Sequence, residues 1–166
     1  MTVTLAELGE AELLRRLARF APPGQLADDT SGLAADPRQL LVNTDVLVDG
    51  IHFSDGPPSP AAVGWRAVAT NISDLAASGA VEVVGITVAL VAPGNTSWHW
   101  VEDLYRGISE ALSCYGGILL GGDCSAGKQR LISITALGRL GPLRLHRADA
   151  CPGDWITSPG VHHEWH

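Results

Sequence analysis

Apolar residues recur at Leu5, Leu8, Leu13, Leu14 and Leu17. This spacing predicts an amphipathic helix over Leu5 to Phe20, stopped by Ala21-Pro22-Pro23-Gly24. A loop carrying Asp28 and Asp29 follows, and the short apolar run from Leu40 to Val48 reads as a strand. Gly50 to Pro60 is rich in Gly and Pro and reads as a loop. Ser59 followed by Pro60 is a helix start, with Ser as cap and Pro at the first position. That helix is expected to run to about Ser78, where Gly79 ends it. Val81 to Val91 is β-branched and reads as a buried strand. After the turn at Pro93-Gly94-Asn95, Ser97 to Tyr115 predicts a second long helix, closed by Gly116-Gly117. Ile118 to Leu120 is a short strand leading into a Gly121-Gly122-Asp123 turn. Leu131 to Leu140 is a further strand, and Asp154 to Thr157 begins one more. Strands alternating with long helices indicate an α/β or α+β domain.

Composition narrows the class of partner. The chain has 166 residues with 46% apolar content, enough for one ordinary domain with a core. Its net charge of −7 offers no basic footprint, so nucleic acid is excluded as an expected partner. The cysteines Cys114, Cys124 and Cys151 form no CxxC pair, which argues against a disulfide framework or zinc site. No basic-then-apolar leader opens the chain and no apolar run is long enough to span a membrane. The expected location is the cytoplasm, with no membrane partner.

The acids carry the candidate chemistry. Asp28-Asp29, Asp45 after Asn43-Thr44, Asp74 after Asn71-Ile72-Ser73, and Asp123 after Gly121-Gly122 lie where a regular element meets a loop or beside small residues. Hard cations such as Mg²⁺ take oxygen ligands, typically one or two carboxylates with waters and phosphate oxygens. Ala67, Thr70, Asn71 and Asp74 share one helix face by their spacing. A face of such short side chains would let a polyphosphate and its metals approach. Plainer readings stand beside these: Asp74 as a solvated helix residue, Gly121-Gly122 as a turn, His52 as a structural or surface histidine, Tyr105 as a core aromatic. The P-loop pattern G-x-x-x-x-G-K-[ST] is absent, Lys128 being the only lysine, and so is G-x-G-x-x-G.

Taken in order, several stretches resemble the thiamine-monophosphate kinase family, within the PurM-like group of ATP-dependent enzymes. They are Ala27-Asp28-Asp29-Thr30, Val42 to Val48, Gly50-Ile51-His52-Phe53, Thr70 to Gly79, Leu120 to Cys124, Gly138 to Pro142 and Pro152-Gly153-Asp154-Trp155. The resemblance implies a PurM-like N-terminal domain, a mixed β-sheet packed against two long helices. It implies a transferase that moves the γ-phosphoryl of ATP directly onto the phosphate of thiamine monophosphate, giving thiamine diphosphate for thiamine biosynthesis. It implies several Mg²⁺ ions, held by Asp29, Thr44, Asp45, Asp74 and Asp123, with Asp28 and Asn43 in the same shell. His52 resembles the substrate contact, and Tyr105, Gly122, Asp123 and Arg147 resemble ATP contacts. No catalytic group separate from these ligands is implied, and a homodimer is.

The resemblance also divides the chain. Residues 1–156 are expected to be the kinase domain. Residues 157–166, with His162, His163 and His166, are expected to be an atypical tail, the family's C-terminal domain being missing and the chain a truncated or frameshifted fragment. Ala27 stands where the family usually has Gly before the paired Asp. The alternatives are a catalytically inactive dimerisation or nucleotide-binding module, or another PurM-like ATP-dependent enzyme. Against a selenophosphate synthetase stands the lack of any cysteine before Cys114.

Overall fold

Capping residues decide where the helices begin. In the computed structural model, which describes residues 3–26, 30 and 32–156, helix α1 (Leu5–Leu17) starts at Thr4 through a capping box with Glu7. It gives way to a 3-10 turn at Ala18–Phe20, so the regular helix ends earlier than its apolar spacing predicts. Strand β1 (Leu40–Val48) follows. Helix α2 (Pro60–Ala77) starts where Ser59 Oγ accepts the Ala62 N–H, with Pro60 in its first turn. Strand β2 (Ala80–Ala92) leads to helix α3 (Trp98–Tyr115), where Ser97 Oγ accepts the Trp100 N–H. Strands β3 (Ile118–Ala126) and β4 (Leu131–Leu140) complete the sheet.

The sheet order is β1-β4-β2-β3. β4 is antiparallel to both β1 and β2, and β2 is parallel to β3. Parallel neighbours need a crossover, which α3 supplies between β2 and β3. The long helices α2 and α3 lie on one face, over Ile86, Val88, Leu90, Ile132, Ile134 and Ala136, all buried. The opposite face carries Val42 and Val46, both exposed, and a Thr44–Thr135 hydroxyl pair at 2.8 Å. The fold is therefore the mixed sheet packed against two long helices that the resemblance implies.

Two sequence expectations are corrected. β3 does not stop at Leu120: it continues through Gly121-Gly122-Asp123 to Ala126, paired with β2 from Thr87 to Ala92. The glycines read as a turn locally, but tertiary pairing overrides that preference. Gly122 lies so close to β2 that a Cβ there would meet the Val88 carbonyl oxygen at 1.9 Å. A bulge at Leu120 shifts the register, and consecutive Leu119 and Leu120 are both buried. The second correction is at Asp154, which begins no strand: Asp154 to Ile156 are exposed and irregular, and Thr157 lies outside the described residues.

Glycines also set the helix crossing. A Cβ on Gly64 of α2 would meet the Leu104 carbonyl oxygen at 2.1 Å, and one on Gly107 of α3 would meet that of Ala61 at 1.8 Å. Helix propensity favours Ala over Gly by about 1 kcal/mol, but neither backbone can yield without lifting its helix from the sheet. Gly107→Ala is therefore expected to lower stability by about 1–3 kcal/mol, read as a lower urea midpoint with an unchanged slope.

Candidate functional site

The strand alternation of β1 splits its polar run between two faces. Asn43 lies on the helix side with buried Leu41 and Leu47, and there its Nδ2 donates to Asn71 Oδ1 at 3.1 Å. The same nitrogen makes a long 3.5 Å contact to Asp74 Oδ2. Asn71 is 1% exposed and donates to the Ala67 carbonyl one turn back at 2.9 Å. Asn43 Oδ1 is buried without a hydrogen-bond partner, a condition that costs free energy unless a ligand or ion supplies one. Asp45, two residues on, is exposed on this same strand face.

Thr44 points to the bare face instead, as its bond to Thr135 shows. Asp123, opposite Ala89 in register, also lies on that face, where Ser125 Oγ donates to Asp123 Oδ2 at 2.8 Å. The register places Asp45, Ile134, Val88 and Gly122 on one rung across the sheet. Because β1 and β3 are opposite edges, Asp45 and Asp123, one residue beyond that rung, stand about 14 Å apart across the sheet, three strand spacings. Asn43, Asp45 and Asp74 form one group and Asp123 belongs to another. Asp28 and Asp29 lie outside the described residues. So do residues 157–166, with His162, His163 and His166.

The face of α2 expected to receive polyphosphate is mostly taken up by packing. Ala67 and Asn71 are buried, and Thr70 bonds back to the Arg66 carbonyl at 3.1 Å. Only its C-terminal end, at Asp74, is open. The small side chains let α2 lie close on β1.

At the other edge, a cleft of about 610 Å³ runs along β3, lined by Glu10, Gln25, Tyr105, Gly122, Asp123 and Cys124 among others. Three of the expected ATP contacts thus share one concavity. Arg147 does not line it and lies exposed in a 3-10 turn, Arg147–Asp149. Tyr105 packs its ring on Phe20 at 5.6 Å and is nearly all buried, so its core role is evident whatever else it touches. Burial pushes its phenol upward and the Cys124 thiol to about 11, with neighbouring Asp123 adding to the latter.

His52 sits on the exposed Gly50–Pro60 loop, its Nδ1 accepting the Val48 N–H at 3.0 Å. The Arg66 guanidinium donates to the His52 carbonyl. Sequence reading missed Asn71 as the residue that orients Asn43. An asparagine inside an otherwise apolar helix stripe was the available signal. It also missed Gln25 and Glu10 at the cleft, for which no local pattern existed.

Among the described residues no three Asp, Glu, His or Cys side chains gather as a metal cage. The donor chemistry nonetheless suits Mg²⁺ in its usual protein setting, with one or two carboxylates and the rest water and phosphate. Asn43, Asp45 and Asp74 supply hard oxygens at one edge, and the unpartnered Asn43 Oδ1 is a further available donor atom.

Residues 27–140 match the family model described as AIR synthase related protein, N-terminal domain. The chain is 52% identical over 158 residues to the thiamine-monophosphate kinase of Prochlorococcus marinus, covering 95% of this chain and 47% of that protein. The thiamine-monophosphate kinase structure from Stenotrophomonas maltophilia superposes with a TM-score of 0.64 at 32% identity, over 85% of this chain and 44% of that one. AaThiL, solved in complex with AMPPCP and TMP, gives a TM-score of 0.59 at 32% identity, over 83% and 44%. The chain spans about half the length of the curated relatives it matches.

Thiol chemistry checks the β3 edge. With its thiol raised to about 11 by burial, Cys124 is expected to resist iodoacetamide through pH 9 while exposed Cys114 and Cys151 react. Peptide mass spectrometry of the labelled native chain reads the order.

Proposed function

Since the chain belongs to the AIR synthase related family through its N-terminal domain, we propose that it serves the ATP-dependent phosphorylation of thiamine monophosphate to thiamine diphosphate, in the cytoplasm. The observation that carries this reading is the 52% identity to a thiamine-monophosphate kinase across 158 residues. A relative that holds AMPPCP and TMP together supports the pairing of nucleotide with substrate. In the reaction a phosphate oxygen of thiamine monophosphate bonds to the γ-phosphorus of ATP as the bond to the β–γ bridging oxygen breaks, leaving ADP. Catalysis of this kind rests on positioning and charge neutralisation.

In our reading Asp29, Thr44, Asp45, Asp74 and Asp123, with Asp28 and Asn43 in the same shell, are the Mg²⁺ ligands. Bound there, Mg²⁺ would offset the repulsion between two phosphate groups. Asn71 keeps the Asn43 amide turned so that its oxygen stays available. Gly122 lets the nucleotide phosphates approach the β3 backbone, with Asp123, Tyr105 and Arg147 as further nucleotide contacts. His52 meets the thiamine phosphate. Residues 1–156 act as the kinase domain.

The reading includes a homodimer formed through the bare sheet face. A two-fold axis running along the strands would lay one copy's β1 edge over its partner's β3 edge and preserve height along the strand. Asp45 stands on the Gly122 rung, one residue from Asp123, so that operation would set the β1 edge of one copy beside the β3 edge of the other. Isologous pairing through one self-complementary face is the commonest form of assembly.

Titration calorimetry of the 166-residue chain with AMPPCP is expected to show binding that requires Mg²⁺. Asp74→Asn should weaken it by roughly tenfold or more, since ligand charge sets affinity for hard cations, with thermal stability retained. Nucleotide binding indifferent to Mg²⁺ would sink the proposal. Val46→Glu should weaken self-association by at least about tenfold, an unpaired charge being costly to bury, and sedimentation equilibrium measures it.

A further inference from the structure

One guanidinium ties the His52 loop to the rest of the fold. Arg130, in the connection between β3 and β4, directs Nε and an η nitrogen to Asp49 Oδ2, each at 2.7 Å. The same η nitrogen reaches Asp55 Oδ1 at 2.7 Å. Asp49 and Asp55 bracket the turn that carries His52, so a single side chain closes the loop at both ends. The guanidinium carbon lies 4.8 Å from the Trp100 ring centre and 5.9 Å from that of Phe53. Those two rings stack on each other at 6.0 Å. Phe53, next to His52, is buried. The Arg130 side chain is 11% exposed, and a planar donor fork between two carboxylates and two rings is an arrangement lysine cannot reproduce.

The turn itself is tightly bonded. Gly50 N donates to Phe53 O at 2.7 Å, His52 N to Val48 O at 2.8 Å, and Asp49 N to Arg130 O at 3.0 Å. Gln129 donates to the Asp49 carbonyl. Within it, His52 Nδ1 accepts from the Val48 N–H. A ring nitrogen that accepts a hydrogen bond carries no hydrogen, so the neutral ring holds its proton on Nε2. His52 therefore presents a fixed N–H donor to solvent from a braced loop.

We propose that Arg130 is a positioning residue for substrate, bracing the Asp49–Asp55 turn so that His52 offers its Nε2–H in one orientation to an anionic oxygen of the acceptor substrate. This rests on the proposed role of His52 as the thiamine phosphate contact. A surface ion pair of purely structural use would leave that ring indifferent to Arg130.

The test uses ¹⁵N-labelled histidine in the intact chain. Under mildly alkaline conditions the His52 ring should show the Nε2–H tautomer. Arg130→Met should give a mixture of both tautomers. Thiamine phosphate affinity should fall by about tenfold or more, the scale seen when an orienting partner of a ligating His is lost, while AMPPCP affinity holds. Arg130→Lys should recover only part of the effect. Where Arg130→Met does not fold, Asp55→Asn, at a carboxylate 85% exposed, carries the same readout with a smaller expected change. Ring signals and thiamine phosphate affinity unchanged in these variants would overturn the assignment. Should the unaltered chain take no thiamine phosphate, the functional reading fails on its own, and the ring signals still decide for or against Arg130.

Discussion

Close backbone contact between α2 and α3, at Gly64 against Leu104 and at Gly107 against Ala61, governs the rest of the architecture. It lets two long helices lie side by side over one face of a narrow four-stranded sheet. Most of the heavily buried strand residues, among them Ile86, Leu90, Ile132 and Ile134, point to that face. The other face is left with hydroxyls and exposed valines. One-sided coverage is a stable arrangement for a sheet with antiparallel pairs only when the second face is polar or finds a partner.

The same sheet distributes the chemistry. Its order places β1 and β3 at the two edges, with Asp45 and Asp123 one register position apart. Each edge receives its own helix-borne support. Asn71 and Asp74 come from α2 to β1, whereas Tyr105 comes from α3 to β3, beside Glu10 from α1. Polar residues inside the core are few, and Asn71 is one that donates to the Ala67 carbonyl and accepts from the Asn43 amide. A buried amide held that firmly is costly unless its orientation matters.

Much of this was legible in the residues. β1 and β4 match their expected bounds, Leu40–Val48 and Leu131–Leu140, because β-branched runs bounded by turns carry their own signal. The starts of α2 and α3 were legible because Ser caps act on the residues just after them. β3 was not, since Gly121-Gly122 lacks side chains that favour a strand and gains its conformation only by lying against Val88. The order of the motifs, and with it the family, was equally readable from the chain alone.

What the sequence determined by itself was the set of elements and the inventory of oxygen donors, because capping, periodicity and residue chemistry act over a few neighbouring positions. Only the tertiary structure decided which donors share a face and which stand at opposite edges. Asn43 and Thr44 are adjacent in the chain but point to opposite sides of the sheet, while Asn43 and Asp74 meet across 31 positions. The pleat and the strand order fix those relations, and both arise from long-range pairing that no local stretch encodes.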